Sequence, residues 1–391
     1  MSRFTVIVPA YKTEEYLPSC LDSLRVQTFA DWDAVVVIDG SPDSCVDIAR
    51  TYAELDSRFS VIEFPCNRGR HAARKGGVAA AAGEYLCFLD SDDTFESDLL
   101  ATLDASLRAE DADVIHFGVT IVAEDGMAPE TVSSFEGLVN APKAPLSSLA
   151  ALELAFCSHE GVRDWRLTQR AYRRDLLKRA FALTTDERLE VGEDSYEYFS
   201  VACLLRQETT CNDAHLVYHL GRGITGASQL PVEKLLLLAR HYRGTIEAVQ
   251  ELAARFAGST VRRAADMFII RLCEDVGGVW ANRCPSETRL EIVWDMARIV
   301  GPALFAAQMA RIARDEAYAS FVADVPPQER DTASAKELLA SAQELLRSCG
   351  PCGQTAFLEE YEKYRNEALL HIHEVETGVV PAWRKPKGTA E

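Results

Sequence analysis

The chain has 391 residues, enough for two domains, each with its own core. Its formal charge of −19 excludes nucleic acid as the natural partner, since Lys and Arg must displace condensed counterions there, and disfavours broad adhesion to anionic lipid. No run reaches the roughly 18 apolar residues of a membrane span, the N-terminal apolar stretch is too short for a signal-peptide core, and 11 cysteines, an odd number, read as reduced thiols of a cytoplasmic protein.

Residues 4–8 form an apolar run stopped by Pro9. Thr13 follows as a helix cap, with Glu14 and Glu15 in the first turn, where the helix dipole favours acids. Tyr16, Leu17, Cys20, Leu21 and Leu24 recur at helical spacing. Residues 34–38 predict a second buried strand, Asp39-Gly40-Ser41-Pro42-Asp43 a turn, and residues 61–64 a third strand, with Val46, Ala49 and Ala53 on one face of the helix between. Small residues at Ala72, Ala73, Gly76, Gly77, Ala79 and Ala80 suit a helix lying close against a sheet. This alternation predicts an α/β fold, a largely parallel sheet with helices on both faces.

The next apolar run, residues 85–89, discharges into Asp90, Asp92 and Asp93, three carboxylates within four positions. They fall at the carboxyl end of a strand, the edge where open α/β sheets hold ligands. Like charges so close raise one another's pKa unless a hard divalent cation or backbone N–H groups offset them. An isolated Asp-Ser-Asp-Asp reads more simply as an acidic turn, and the spacing is not that of an EF-hand. Polar segments at the ends of successive strands, around Pro9, Ala10 and Tyr11, then Asp39, then Asn67 and Arg70, then Asp90, converge on one edge and predict a pocket.

Beyond the cluster, Leu99, Leu100, Leu103 and Leu107 mark a helix, residues 114–122 a strand, and residues 123–145 a loop. A second α+β portion contains residues 165–172, a basic helix at 172–181 and a helix opening at Gly192-Glu193-Asp194. From about residue 230 strand signals vanish, and helical periodicity predicts an all-α domain over 229–380 with a break near Pro326 and Pro327. Residues 381–391 read as a frayed tail, with a membrane-surface contact as the alternative. Cys349-Gly350-Pro351-Cys352 has the letters of a redox motif but no preceding strand, so an interhelical turn is the simpler reading.

The segments VIVPAYK (6–12), YLPSCLDSLRVQT (16–28), VVVIDGSPD (35–43), NRGRHAARKGG (67–77) and GEYLCFLDSDD (83–93), in this order, resemble family 2 of the inverting glycosyltransferases. DWRLTQRAYRRDLL (164–177), GEDSYEYF (192–199) and residues 218–225 extend the resemblance over roughly residues 4–225. It implies a GT-A domain, a Rossmann-like mixed sheet, over residues 1–228. It also implies transfer of a sugar from a nucleotide diphosphate donor, UDP-sugar favoured, with Mn²⁺ or Mg²⁺, in glycan or glycoconjugate synthesis. On the same footing, Pro9, Ala10, Tyr11 and Asp39 contact the base, with Asp39 taking the N3–H of a uracil. Asn67, Arg70 and Arg74 lie along the nucleotide, Asp92 and Asp93 bind ribose and metal, and Asp90 supports them. His219 and Arg222 approach the diphosphate, a structural turn being the other reading.

Asp194 is the implied general base, since inversion proceeds by one displacement in which a carboxylate takes the acceptor's proton. The helix dipole is expected to keep it ionised. A plain helix-capping acid is the alternative. Departures from the family pattern are Ile38 where an acid is common, Pro42 for Thr and Lys12 for Asn. The acceptor is a glycan, a lipid-linked group or a protein. The helical domain shapes the acceptor side or joins copies into a homo-oligomer, and contact with the inner face of a membrane stays open. Two other classes remain: a sugar-nucleotide nucleotidyltransferase, which lacks its glycine-rich triphosphate loop here, and a non-catalytic module with a vestigial site.

Overall fold

The computed structural model describes residues 2–123, 129–140, 145–157, 165–220, 222, 229–323, 330–348 and 355–377. The Cys349–Cys352 pair, the break near Pro326, most of residues 221–228 and the tail lie outside the described residues. Cys20, Cys45, Cys87, Cys211, Cys273 and Cys284 are buried free thiols.

Strand β1 (Phe4–Ala10) leads to helix α1 (Leu17–Arg25), β2 (Trp32–Ile38), α2 (Cys45–Leu55), β3 (Phe59–Glu63), α3 (Arg70–Ala80) and β4 (Tyr85–Phe88). These four strands are parallel, with β1 between β2 and β4. The apolar runs of β1, β2 and β4 are buried on both faces, as inner parallel strands require, while β3 at the sheet edge is only partly buried. Val6, Val36 and Ile38 face Leu17, Leu21 and Ala49 in one core, while Val35, Val37 and Ala73 form the other.

Helix α1 begins later than its sequence suggests. Pro18 lacks an N–H and fits only the first turn, so Glu14 and Glu15 fall in the turn before it, and the Thr13 carbonyl accepts from the N–H groups of Tyr16 and Leu17.

The acidic cluster runs directly into β5 (Thr94–Phe95), followed by α4 (Leu99–Ala109), β6 (Val114–Ala123), α5 (Pro129–Val139), β7 (Leu146–Ser147), α6 (Ser148–Leu152), β8 (Arg170–Arg173), α7 (Arg174–Leu183), α8 (Glu193–Ala202) and β9 (Gln207–Leu220). Antiparallel β8 joins β4 to β6, so the sheet is mixed, in the order β3-β2-β1-β4-β8-β6-β9-β5 with β7 on β9. Where the sequence predicts a loop over 123–145, the described part holds α5, which Pro129 and Glu130 can open.

Six helices follow: α9 (Val232–Ala253), α10 (Ser259–Arg283), α11 (Val293–Val300), α12 (Pro302–Val322), α13 (Ala333–Ser348) and α14 (Thr355–Thr377). The chain divides into two compact units. One comprises residues 1–226 with 244–268, the other residues 227–243 with 269–391. The second buries Trp280, whose indole N–H donates to the Arg289 carbonyl at 3.0 Å. None of the described helices is long and apolar enough to cross a membrane.

Gly40 sets the turn after β2. Its φ is +60°, and a Cβ there would stand 2.3 Å from the Cys66 carbonyl carbon. Gly40→Ala combines left-handed strain with a clash against backbone that cannot rotate away. Urea denaturation should show a loss of at least about 2 kcal/mol.

Candidate active site

The carboxyl ends of the four parallel strands bring the predicted loops together. Ala10 and Asp39 meet there through an N–H to carbonyl bond of 3.0 Å, and Ala10 is buried while Tyr11 stands half exposed at the rim. Lys12 adopts φ +56° and donates its N–H to Ser41 Oγ at 2.7 Å. That conformation favours Asn over Lys. Ile38, in place of an acid, is buried in the core.

Asp39 is buried, and its two oxygens accept from the backbone N–H groups of Arg68 and Gly69 at 2.7 and 2.8 Å. It therefore pins the loop before α3 to the end of β2. Asn67, in that loop, receives Arg188 on its carbonyl at 2.8 Å.

The pairing of β5 with β9 places the acidic cluster against the end of β9. Thr94 opposes Val217, so Asp93 Oδ1 accepts the His219 N–H at 2.9 Å, and Arg222 donates to the Asp92 carbonyl at 3.1 Å. The Arg222 guanidinium also lies over the Tyr16 ring, 4.5 Å from its centre. His219 belongs to the strand itself and meets the cluster through its backbone.

Burial, then Asp90 and Asp92, push the Asp93 carboxyl up to about 8, against the pull of the His219 N–H and Arg222. Burial and Asp90 raise Asp92 as well. Only oxygen donors are offered, and a carboxylate held this high lacks compensating positive charge. That donor set suits Mg²⁺ or Mn²⁺, which bind through one or two carboxylates and complete their shell with phosphate oxygens and water. Among the described residues no three His, Cys, Asp or Glu side chains converge in ligand geometry.

Arg74, fully buried on α3, joins this cluster to the helix that carries Asp194. Its Nη2 reaches Asp90 Oδ1 at 3.2 Å and its Nη1 reaches Glu197 Oε2 at 3.0 Å. Glu197 also pairs with His71 at 2.7 Å, and the other His71 nitrogen meets the Thr185 carbonyl at 3.0 Å. Burial alone would lower the pKa values of Arg74 and His71; it is outweighed at Arg74 by Glu197 together with Asp90, Glu193 and Asp194, and at His71 by Glu197 with the Thr185 carbonyl, so both are raised. Neither Glu197 nor His71 stood out in the sequence; the available signal was one acid on the otherwise apolar stretch Tyr196, Tyr198, Phe199.

Helix α8 starts at Gly192, whose φ of +66° turns the chain so that Glu193 and Asp194 occupy the first turn. Glu193 is buried and lies 3.2 Å from Arg70 Nε. Asp194 accepts from the Ser195 N–H at 2.7 Å. The dipole does not dominate as the sequence suggests: burial, then Glu193, push Asp194 up to about 6, with Arg74 and the Ser195 N–H pulling the other way.

Asp194 and Asp90 line the same cavity of about 240 Å³, with Arg70, Arg74 and Arg166. Val119, Val139, Leu167, Leu216 and Tyr218 give it an apolar wall, and Thr168 and Gln169 complete it. Of the predicted residues, Pro9, Ala10, Tyr11, Asp39, Asn67, Asp92, Asp93, His219 and Arg222 are not among those that line it.

The model of the protein family described as Glycosyl transferase family 2 matches residues 5–181. The putative glycosyltransferase EpsH of Bacillus subtilis is 46% identical over 94 residues, 24% of this chain and 27% of that protein. The uncharacterized glycosyltransferase EpsJ of the same organism is 31% identical over 194 residues, 49% of this chain and 53% of that protein. The chain thus spans about half or less of these relatives. A crystal structure of S. aureus TarS 1-349 in complex with UDP superposes with a TM-score of 0.57 at 16% identity, covering 96% of this chain and 92% of that one, a likeness of fold. Residues 5–181 thus match glycosyl transferase family 2, and the fold is of the GT-A type.

Proposed function

We propose that the protein is an inverting glycosyltransferase that moves a sugar from a nucleoside diphosphate donor to a hydroxyl acceptor in polysaccharide or glycoconjugate synthesis. The observation that carries this reading is that Asp90 and Asp194 line one cavity, with Arg74 in its wall tying Asp90 to Glu197 on the helix that carries Asp194. UDP as the nucleotide is supported by the UDP bound to TarS, a protein of similar fold.

Asp92 and Asp93 would hold the divalent ion, which when bound neutralises charge growing on the leaving diphosphate. The rest belongs to the protein's own groups. Tyr11 and the loop pinned by Asp39 offer a ledge for the base, while Arg70 and Arg222 add positive charge near the phosphates. Asp194 takes the proton of the acceptor hydroxyl as it attacks the anomeric carbon from the face opposite the leaving group. One displacement with one base gives inversion, and no second carboxylate is needed as nucleophile.

Calorimetric titration with UDP tests the donor half. Mn²⁺ should tighten UDP binding at least about tenfold in the wild type, and Asp93→Ala should abolish that gain while the chain stays folded. UDP uptake indifferent to Mn²⁺ in both proteins would exclude the metal-assisted reading.

A further inference from the structure

Gln169 lines the cavity and is 1% exposed. Its Nε2 donates to the Phe117 carbonyl at 3.4 Å, a long bond, while its Oε1 is buried with no hydrogen-bond partner among the described residues. A buried carbonyl oxygen without a donor costs stability, and such a group in a native fold calls for a reason. Val119, Leu167 and Leu216 have no side-chain donor, and the donors elsewhere in the wall, Arg70, Arg74, Arg166, Thr168 and Tyr218, do not hydrogen-bond to Gln169 Oε1.

We propose that Gln169 Oε1 accepts a hydrogen bond from a hydroxyl or amide N–H of the donor's sugar, making Gln169 a specificity-determining residue for that sugar. This rests on the donor reading given above. The cavity has Asp90, beside the proposed diphosphate site, and Asp194, the proposed base, among its walls, so a sugar held there sits between leaving group and acceptor. At about 240 Å³ it falls below the roughly 300–1,000 Å³ of sites for drug-sized ligands, which suits one monosaccharide ring rather than an oligosaccharide. The apolar wall takes a sugar's C–H face, leaving its polar edge to Gln169. A site built around an unfilled acceptor discriminates against ligands that lack the matching donor, because the carbonyl then stays unpaired.

Titration calorimetry with UDP, UDP-glucose, UDP-galactose and UDP-N-acetylglucosamine, all with Mn²⁺, followed by singly deoxygenated forms of the tightest, tests this. In the wild type, loss of one particular hydroxyl or of the acetamido N–H should weaken binding between about five- and a hundredfold. In Gln169→Met that difference should vanish while UDP itself binds within about twofold of wild type. Should the Met variant not fold, Gln169→Asn withdraws the same carbonyl by one methylene and is expected to behave alike. Unchanged discrimination in the variant, or a wild type indifferent to every deoxygenation, overturns the assignment of Gln169 while leaving the donor reading standing. Failure of UDP itself to bind overturns both.

Discussion

Asp194→Asn should lower turnover with a nucleotide sugar and acceptor by roughly 10²–10⁴-fold while the protein still takes up UDP, because the change removes the proton acceptor and leaves the nucleotide loops intact. The wild-type pH profile carries an independent signature. Asp194 works ionised, and its carboxyl is raised to about 6. The ratio kcat/KM should therefore fall about tenfold per pH unit below 6 and level off above it. Glu193 is the second cause of that raised value, so Glu193→Gln should move the acid limb to lower pH.

Stability should move the opposite way. A carboxyl whose pKa is higher in the folded than in the unfolded state binds its proton better in the fold. Its contribution is fully present below about pH 4 and is lost as pH rises toward 6. At pH 7 Asp194→Asn should thus be more stable than wild type by roughly 1–3 kcal/mol, and the two should converge near pH 3.5. Full turnover in Asp194→Asn would place the base elsewhere, with Glu193 the first alternative to examine.

The parallel half of the sheet was legible because each strand there is a continuous apolar run closed by a turn, which is local information. Asp90, Asp92 and Asp93 were found for the same reason, their carboxylates lying next to one another in sequence. The antiparallel half was less so, since β8 enters between β4 and β6 from far along the chain, and nothing within the segment Arg170–Arg173 announces its neighbours. The start of α1 turned on one missing N–H at Pro18, outweighed in the sequence by the acids before it. The site was legible where charge is concentrated and hidden where it is dispersed. Arg74 was expected beside the nucleotide, yet its observed partners are Asp90 and Glu197, the second 123 positions away. Gln169 gave no signal, because what marks it is the absence of a hydrogen bond to Oε1, a property of the folded cavity.

Arg74→Met should be among the most damaging substitutions in the chain. Arg74 and Glu197 are both buried, and breaking such a pair from one side leaves the other charge in a poorly solvating interior, at a cost of about 3–5 kcal/mol. His71 softens this only partly, since the proton that would compensate Glu197 must itself be held in a buried ring. Replacing both members, Arg74→Met with Glu197→Leu, removes the orphaned charge and should recover most of the loss in urea denaturation. Activity should not recover with it. Arg74 lowers the pKa of Asp194 by more than Glu197 raises it, so even in the double variant, which loses both, the acid limb of kcat/KM moves above pH 6. A double variant that regains stability but keeps its acid limb shifted upward would show that Arg74 tunes the base as well as filling the core, whereas a limb fixed at wild-type pH would reduce the arginine to a packing element.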